Sequence, residues 1–257
     1  MFNNFFLKRG FKTTNLKSSR RIKMLVDDEM ALSEHIEEFS QRLFFCLILL
    51  LFAVILCFVE VKDIVRVFQA PAIGVKFLQF SPGEYFFSSV KIAVFCGILI
   101  SSPIVIYQIL LYLIPGLTKE EKDIFLPVSF GSGILFVVGL GFSYFLLVPA
   151  ALSFFISYGS EVIEPFWSFD QYFDFIAVLL FATGLAFQLP AIQVVLGLLG
   201  IVTGEKMLSA WKYVVVICTI LAAIITPSTD PVTQIILSVA LLSLYLGGSG
   251  FVIFLKK

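Results

Sequence analysis

The stretch at residues 124–160, IFLPVSFGSGILFVVGLGFSYFLLVPAALSFFISYGS, contains no charged side chain along its 37 residues. Five more stretches share this property, and the six together hold 153 of the 257 residues: 43–59, 92–118, 175–204, 213–229 and 231–255. A helix of about 20 apolar residues crosses a bilayer core with its backbone hydrogen bonds closed internally. The pattern therefore predicts an all-α polytopic membrane protein with six transmembrane helices.

The composition leaves no room for a large soluble domain. Mean hydropathy is +1.01, and 59% of the residues are hydrophobic. The longest hydrophilic segment lies at the N-terminus, where residues 1–26 carry seven Lys or Arg and no acidic residue. We expect a basic N-terminal tail at residues 1–29 and a six-helix membrane domain at residues 30–257.

The distribution of positive charge predicts the orientation in the membrane. Six spans place both termini on one side, and the segments on that side hold fourteen of the eighteen Lys and Arg residues. Because positively charged loops stay on the inner side, we expect both the N-terminus and the C-terminus inside.

The predicted spans differ in length. As one helix, residues 124–160 would reach roughly 55 Å, so this span either tilts strongly or breaks near Pro149. Residues 213–225 give only about 20 Å of apolar helix before a turn. Pro103 and Pro190 should each kink a span. Long helices beside short ones predict a cup-shaped protein.

No catalytic or metal-binding motif is present, so we predict no enzyme activity, no cofactor and no metal. The four cysteines are scattered through apolar stretches and read as small buried side chains. His35 is the one histidine and reads as a helix surface residue.

Acidic side chains on the inner side suggest a binding surface. Residues 30–42 read as an amphipathic helix whose polar face carries His35, Glu38 and Arg42. The inner loop at residues 116–123 adds Glu120 and Glu121. Carboxylates here could bind a cationic ligand, and arginine suits them because its planar fork pairs bidentately with a carboxylate. The alternative is a solvated helix face and an ordinary charged loop.

Two polar residues stand out in or beside the later spans. Gln188 lies mid-span and either contacts a partner helix or binds the backbone carbonyl that Pro190 leaves free, and the latter is favoured. Gln193 has the same character. Asp230, in the turn between spans five and six, reads first as a turn or cap residue.

Five segments, in this order and with six spans, resemble the TatC component of the twin-arginine (Sec-independent) protein translocase. They are HIEEFSQRL at 35–43, FSPGEYF at 80–86, PGLTKEE at 115–121, YFLLVPAALSFF at 144–155 and TPSTDPVTQ at 226–234. The resemblance runs from about residue 30 to the C-terminus.

The resemblance implies a receptor for twin-arginine signal peptides of folded cargo, within a translocase driven by the proton-motive force. The signal-binding glutamates of the family correspond to Glu38 and Glu121, and His35, Glu120 and Arg42 lie beside them. It also implies single-span partners of the TatA/TatB type, a homo-oligomer within a receptor complex, and contact with membrane lipid. Candidate partner-helix contacts are Gln188, Thr226, Pro227 and Asp230.

The chain departs from the family pattern at two places. Gln188 stands where bacterial members commonly have a glutamate, which leaves hydrogen bonding rather than ionisation. Ser40 and Gln41 replace basic residues, so the surroundings of Glu38 are more acidic. The later motifs look most like plastid and cyanobacterial members, which implies a plastid thylakoid membrane or, alternatively, a cyanobacterial thylakoid or plasma membrane. Alternatives to the receptor are a non-transporting scaffold and, with less support, a secondary transporter, which would need ionisable residues inside the spans.

Overall fold

The computed structural model describes residues 14–72, 74–112, 119–159, 166–226 and 230–255, with the backbone alone at 14–35, 119–124 and 159. Its helices and strands are α1 Thr14–Val59, α2 Val61–Gln69, β1 Lys76–Leu78, α3 Glu84–Tyr112, α4 Lys119–Phe142, α5 Val148–Gly159, β2 Phe166–Ser168, α6 Phe169–Ala186, α7 Leu189–Leu198, α8 Gly204–Ser209, α9 Trp211–Ile225 and α10 Pro231–Leu255. The chain divides into two compact units, Met1–Phe45 and Cys46–Lys257.

Five helical segments among the described residues are long and apolar enough to cross a membrane. They are Ile36–Val59, Glu84–Tyr112, Phe125–Tyr158, Phe169–Leu198 and Pro231–Leu255. The predicted fifth span corresponds to α9, which has 15 residues and a length of about 22 Å. The chain is thus an all-helical polytopic membrane protein, with five long apolar helices and a shorter one in its described part.

The longest span is continuous, so of the two alternatives for its length, a strong tilt or a break near Pro149, the break is wrong. A π-helical turn at Ser143–Leu147 links α4 directly to α5. The Val148 amide donates to the Ser143 carbonyl, five residues back, just before the proline that lacks a donor. The wider turn carries the helix past Pro149 without unwinding, because it shifts the hydrogen-bond pattern locally.

Pro103 and Pro190 differ in where they lie relative to the helices. Pro103 lies inside α3, which continues on both sides of it. Pro190 is the second residue of α7, and the two-residue turn of Phe187 and Gln188 separates α7 from α6. A proline is tolerated in the first turn of a helix because the amide it lacks has no intrahelical partner there. The expected kink at Pro190 is therefore a break between two helices.

The main buried cluster of the second unit is built from the end of α1, from α2, α3, α5, α6, α9 and α10, and from the π-helical turn. Edge-to-face aromatic contacts join Phe68, Phe95 and Phe173, with ring centroids 5.3 to 6.4 Å apart. Such pairs contribute about 0.5–1.5 kcal/mol beyond the area they bury. Elsewhere small residues allow close helix approach: a Cβ on Gly139 would lie 3.1 Å from the Gly184 Cα, which brings α4 against α6.

The segments that connect the helices at one end of the unit are tied together. β1 and β2 pair in parallel, with Lys76 opposite Phe166. The Tyr172 hydroxyl donates to the Phe68 carbonyl at 2.7 Å, which anchors the end of α2 on α6. These two three-residue strands are the one sheet among the described residues, and the sequence pattern did not predict them.

Lys91 of α3 also binds this end of α6. Its ammonium lies 2.8 Å from Asp170 Oδ1 and 2.9 Å from Asp174 Oδ1, and the Ser88 hydroxyl donates to Asp170 Oδ1 at 2.9 Å. The one basic side chain of α3 therefore forms ion pairs with two carboxylates of α6.

Candidate functional site

Glu38 is half-buried on α1 and holds a guanidinium group. The Nη2 and Nε atoms of Arg42 donate to its Oε1 atom at 2.6 and 3.0 Å. The two residues are four apart, with the acid nearer the N-terminus, which is the favourable orientation for an ion pair on a helix. The Glu38 carboxylate thus has the geometry that recognises an arginine side chain.

The neighbours of Glu38 on α1 are polar or exposed. Glu37 is exposed and accepts a 3.4 Å hydrogen bond from the Gln41 amide. Ile36 and Phe39, on the predicted apolar face, are 62% and 49% exposed. In a membrane protein such side chains face lipid or another chain.

Three residues of the predicted inner surface have only their backbone described. His35 lies in α1, while Glu120 and Glu121 are the second and third residues of α4. Their side chains lie outside the described part of the chain. Carboxylates in a first helical turn are stabilised by the helix dipole, so Glu120 and Glu121 also have a structural reason to be acidic.

Gln188 is buried between α6 and α4, and the expectation for its partner is wrong. Its Nε2 atom donates to the Ser132 carbonyl at 3.1 Å, not to the carbonyl that Pro190 leaves free. The close approach of Gly139 and Gly184 brings α4 near enough to receive the bond. The Oε1 atom has no hydrogen-bond partner among the described residues.

Thr226 and Asp230 flank the turn between α9 and α10, and both are buried. The Thr226 hydroxyl donates to the Ala222 carbonyl at 2.9 Å. Asp230 accepts the Thr233 amide at 2.7 Å on Oδ1 and the Thr233 hydroxyl on Oδ2. Asp230 therefore caps α10, as the sequence predicted. Pro227 lies outside the described residues.

Gln193 has a larger role in packing than its sequence context suggested. Its Nε2 atom donates to Ser249 Oγ at 3.0 Å and to the Tyr245 carbonyl at 3.2 Å, which joins α7 to α10. Gly248 makes room for the amide, because a Cβ there would collide with Gln193 Oε1. In the sequence, the only hint of this contact was a polar amide in one apolar stretch and a glycine in another.

Among the described residues, no group of three or more His, Cys, Asp or Glu side chains is arranged to hold a metal ion. The polar features of these residues include a carboxylate on α1 paired with an arginine, two buried amides whose oxygens have no described partner, and a capped start of α10. Together with the long apolar helices they define a polytopic membrane protein.

The comparisons with known proteins agree with this class. Residues 34–239 match the family model described as Sec-independent protein translocase protein (TatC). The chain is 57% identical over 228 residues to "Uncharacterized tatC-like protein ycf43" of Guillardia theta, covering 89% of this chain and 79% of that protein. It is 50% identical over 228 residues to "Sec-independent protein translocase protein TATC, chloroplastic" of Pisum sativum, covering 88% of this chain and 65% of that protein.

A solved structure agrees as well. The crystal structure of a twin-arginine translocase receptor TatC matches with a TM-score of 0.71 and 33% identity, over 86% of this chain and 98% of that one. This chain belongs to the TatC family. It is a multi-pass membrane component of Sec-independent protein transport, not an enzyme, and it has chloroplast relatives.

Proposed function

We propose that this chain is the twin-arginine signal-peptide receptor and core subunit of a Sec-independent translocase that moves folded proteins using the proton-motive force. The observation that carries the proposal is the Glu38 carboxylate, which already coordinates a guanidinium through two N–H donors. Arginine pairs bidentately with carboxylates, so the same group suits the arginine pair of a signal peptide. Family membership supports the assignment.

Glu121 is the second proposed arginine ligand, with His35, Glu120 and Arg42 beside the two glutamates. The support for Glu121 is its correspondence to the family motif and its position in the acidic start of α4. Hydrogen bonds to charged groups contribute about 1.5–3 kcal/mol each, so two carboxylates suffice to select a twin-arginine peptide.

The proposal includes single-span partners of the TatA/TatB type, which would contact Gln188, Thr226, Pro227 and Asp230. The support for Gln188 is a polar amide within the membrane whose Oε1 atom lacks a described partner, although a partner helix has to open the surrounding packing to reach it. A homo-oligomeric receptor complex, termini on the inner side and a thylakoid location belong to the same proposal. Inside would then be the stroma.

Precursor crosslinking in membranes tests the receptor function. Glu38→Gln and Glu121→Gln keep side-chain volume but remove the charge, and each should lower crosslinking to a twin-arginine precursor roughly tenfold or more. A precursor with a Lys-Lys signal is the matched control and should crosslink poorly to the unmodified chain. Undiminished crosslinking in both variants contradicts the receptor.

A non-transporting scaffold is the second candidate, because a membrane protein of this family could assemble complexes without binding cargo. The same variants separate the two functions. A receptor loses precursor transport while its complex with single-span subunits stays intact. A scaffold loses neither. A secondary transporter has less support, since the six uncharged stretches supply no ionisable residue for a substrate or proton path other than cysteine and tyrosine.

A further inference from the structure

Glu38 has an internal ligand of the same chemistry as the proposed signal. Both described bonds from Arg42 end on the Oε1 atom, at 2.6 and 3.0 Å, and both side chains are about a third exposed or less, at 36% for Glu38 and 26% for Arg42. The pair is therefore partly shielded yet open to solvent on one side. An incoming arginine would meet a carboxylate that is already coordinated.

We propose that Arg42 is a placeholder, which occupies Glu38 in the resting chain and is displaced when a signal-peptide arginine binds. The inference rests on the proposed function of Glu38. Exchange is favoured over addition at the Oε2 atom, which accepts no bond among the described residues, because two guanidinium cations on one carboxylate repel each other at short range. Arg42 thus regulates the site instead of contributing a contact to the peptide.

The other described carboxylate close to Glu38 on α1 is that of Glu37. Glu37 is engaged by the neutral amide of Gln41 and lies one residue away from Glu38, on a different face. Displacing Arg42 therefore costs the ion pair, and the released cation stays one helical turn from the site.

The strength of the pair sets the size of the effect. Ion pairs of this spacing and exposure are weak, so losing the placeholder should change affinity by only roughly two- to fivefold. A contact this weak would tune the threshold for signal binding without blocking it. A signal with two arginines would displace it more readily than one with a single arginine.

The experiment measures the precursor concentration that gives half-maximal crosslinking to the full-length chain in membranes, at equal amounts of inserted protein. Arg42→Gln should lower that concentration roughly two- to fivefold. Arg42→Lys, which keeps the charge but lacks the planar fork, should give a smaller shift in the same direction. The matched control is Arg66→Gln, which removes an arginine from a 2.6 Å ion pair with Asp63 and should give no shift.

The Glu38→Gln background separates the two proposals. There, Arg42→Gln should have no further effect, since its target is gone. Weaker or unchanged precursor binding in Arg42→Gln, with Glu38→Gln still defective, overturns the placeholder alone. Arg42→Gln could also strengthen precursor binding about twofold or more when Glu38 is already replaced by Gln. That result would overturn the placeholder too, because Arg42 would then act through its long-range electric field and not through Glu38. Normal binding by Glu38→Gln contradicts the proposed receptor site, and the placeholder falls with it.

Discussion

The amide nitrogen of Gln188 lies 3.1 Å from the backbone carbonyl oxygen of Ser132 and joins the α6–α7 turn to α4. The same residue is only 7% exposed, and its side-chain oxygen has no partner among the described residues. A buried oxygen without a hydrogen-bond donor is unfavourable, so this atom slightly lowers the stability of the folded protein. A donor on a partner helix reaches this oxygen only if the packing around it opens.

Gln188→Leu should therefore separate stability from partner binding. The variant loses one neutral hydrogen bond but also removes an unpaired oxygen, so unfolding free energy should change by no more than about 1 kcal/mol. Crosslinking to a single-span partner should fall. The comparison is Gln193→Leu, which also removes a buried oxygen without a partner among the described residues but loses two bonds to α10, and it should destabilise more. A larger stability loss in Gln188→Leu than in Gln193→Leu would argue against a spare acceptor at this position.

Glycines of α10 should differ sharply in their tolerance of a methyl group. A Cβ on Gly248 would lie 2.9 Å from the Pro190 Cα and strike the Gln193 amide, so Gly248→Ala should destabilise the protein by about 1–3 kcal/mol. Gly247→Ala has open space and should be neutral or stabilising by up to about 1 kcal/mol. Thermal unfolding in detergent measures both, and equal midpoints would refute the close contact between α7 and α10.

Asp230 should be needed mainly for its cap. Asp230→Ala removes the acceptor of the Thr233 amide and should cost about 1–2 kcal/mol of unfolding free energy, measured by denaturation in detergent. Asp230→Asn retains a capping oxygen and should lose much less. If both variants were equally unstable, the negative charge rather than the cap would be responsible.

The Lys91 ion pairs should contribute modestly and depend on salt. Lys91→Met leaves Asp170 and Asp174 without their cation, and because all three groups are partly exposed the loss should be about 1 kcal/mol at low salt and smaller at high salt. Arg66→Gln breaks a more exposed pair and should change stability by less than about 0.5 kcal/mol. A loss that does not vary with salt would be incompatible with an electrostatic role.

The sequence was sufficient for the membrane class, for the position of the apolar helices and for the cap at Asp230, while the fifth predicted span is a helix of only 15 residues. Each of these depends on local information: uncharged runs, helix length and the side chain next to a helix start. The same holds for the proximity of Glu38 and Arg42, which follows from a spacing of four residues on one helix.

Contacts between segments far apart in the chain could not be predicted from the sequence. The Ser132 carbonyl as partner of Gln188, and the pairing of β1 with β2, depend on how closely helices approach and where loops meet. The continuous helix at Pro149 needed a π-helical turn, which has no simple sequence signal. The ion pairs of Lys91 also depend on the fold, because its two carboxylate partners lie on α6, about 80 residues further along the chain.

The role of Glu38 as an arginine ligand is best tested by precursor crosslinking to the Glu38→Gln chain in intact membranes, with the twin-arginine and Lys-Lys precursors side by side. We expect Glu38→Gln to lower twin-arginine crosslinking roughly tenfold or more, to the level of the Lys-Lys precursor on the unmodified chain. Twin-arginine crosslinking that stays at the unmodified level would show that this carboxylate does not bind the signal.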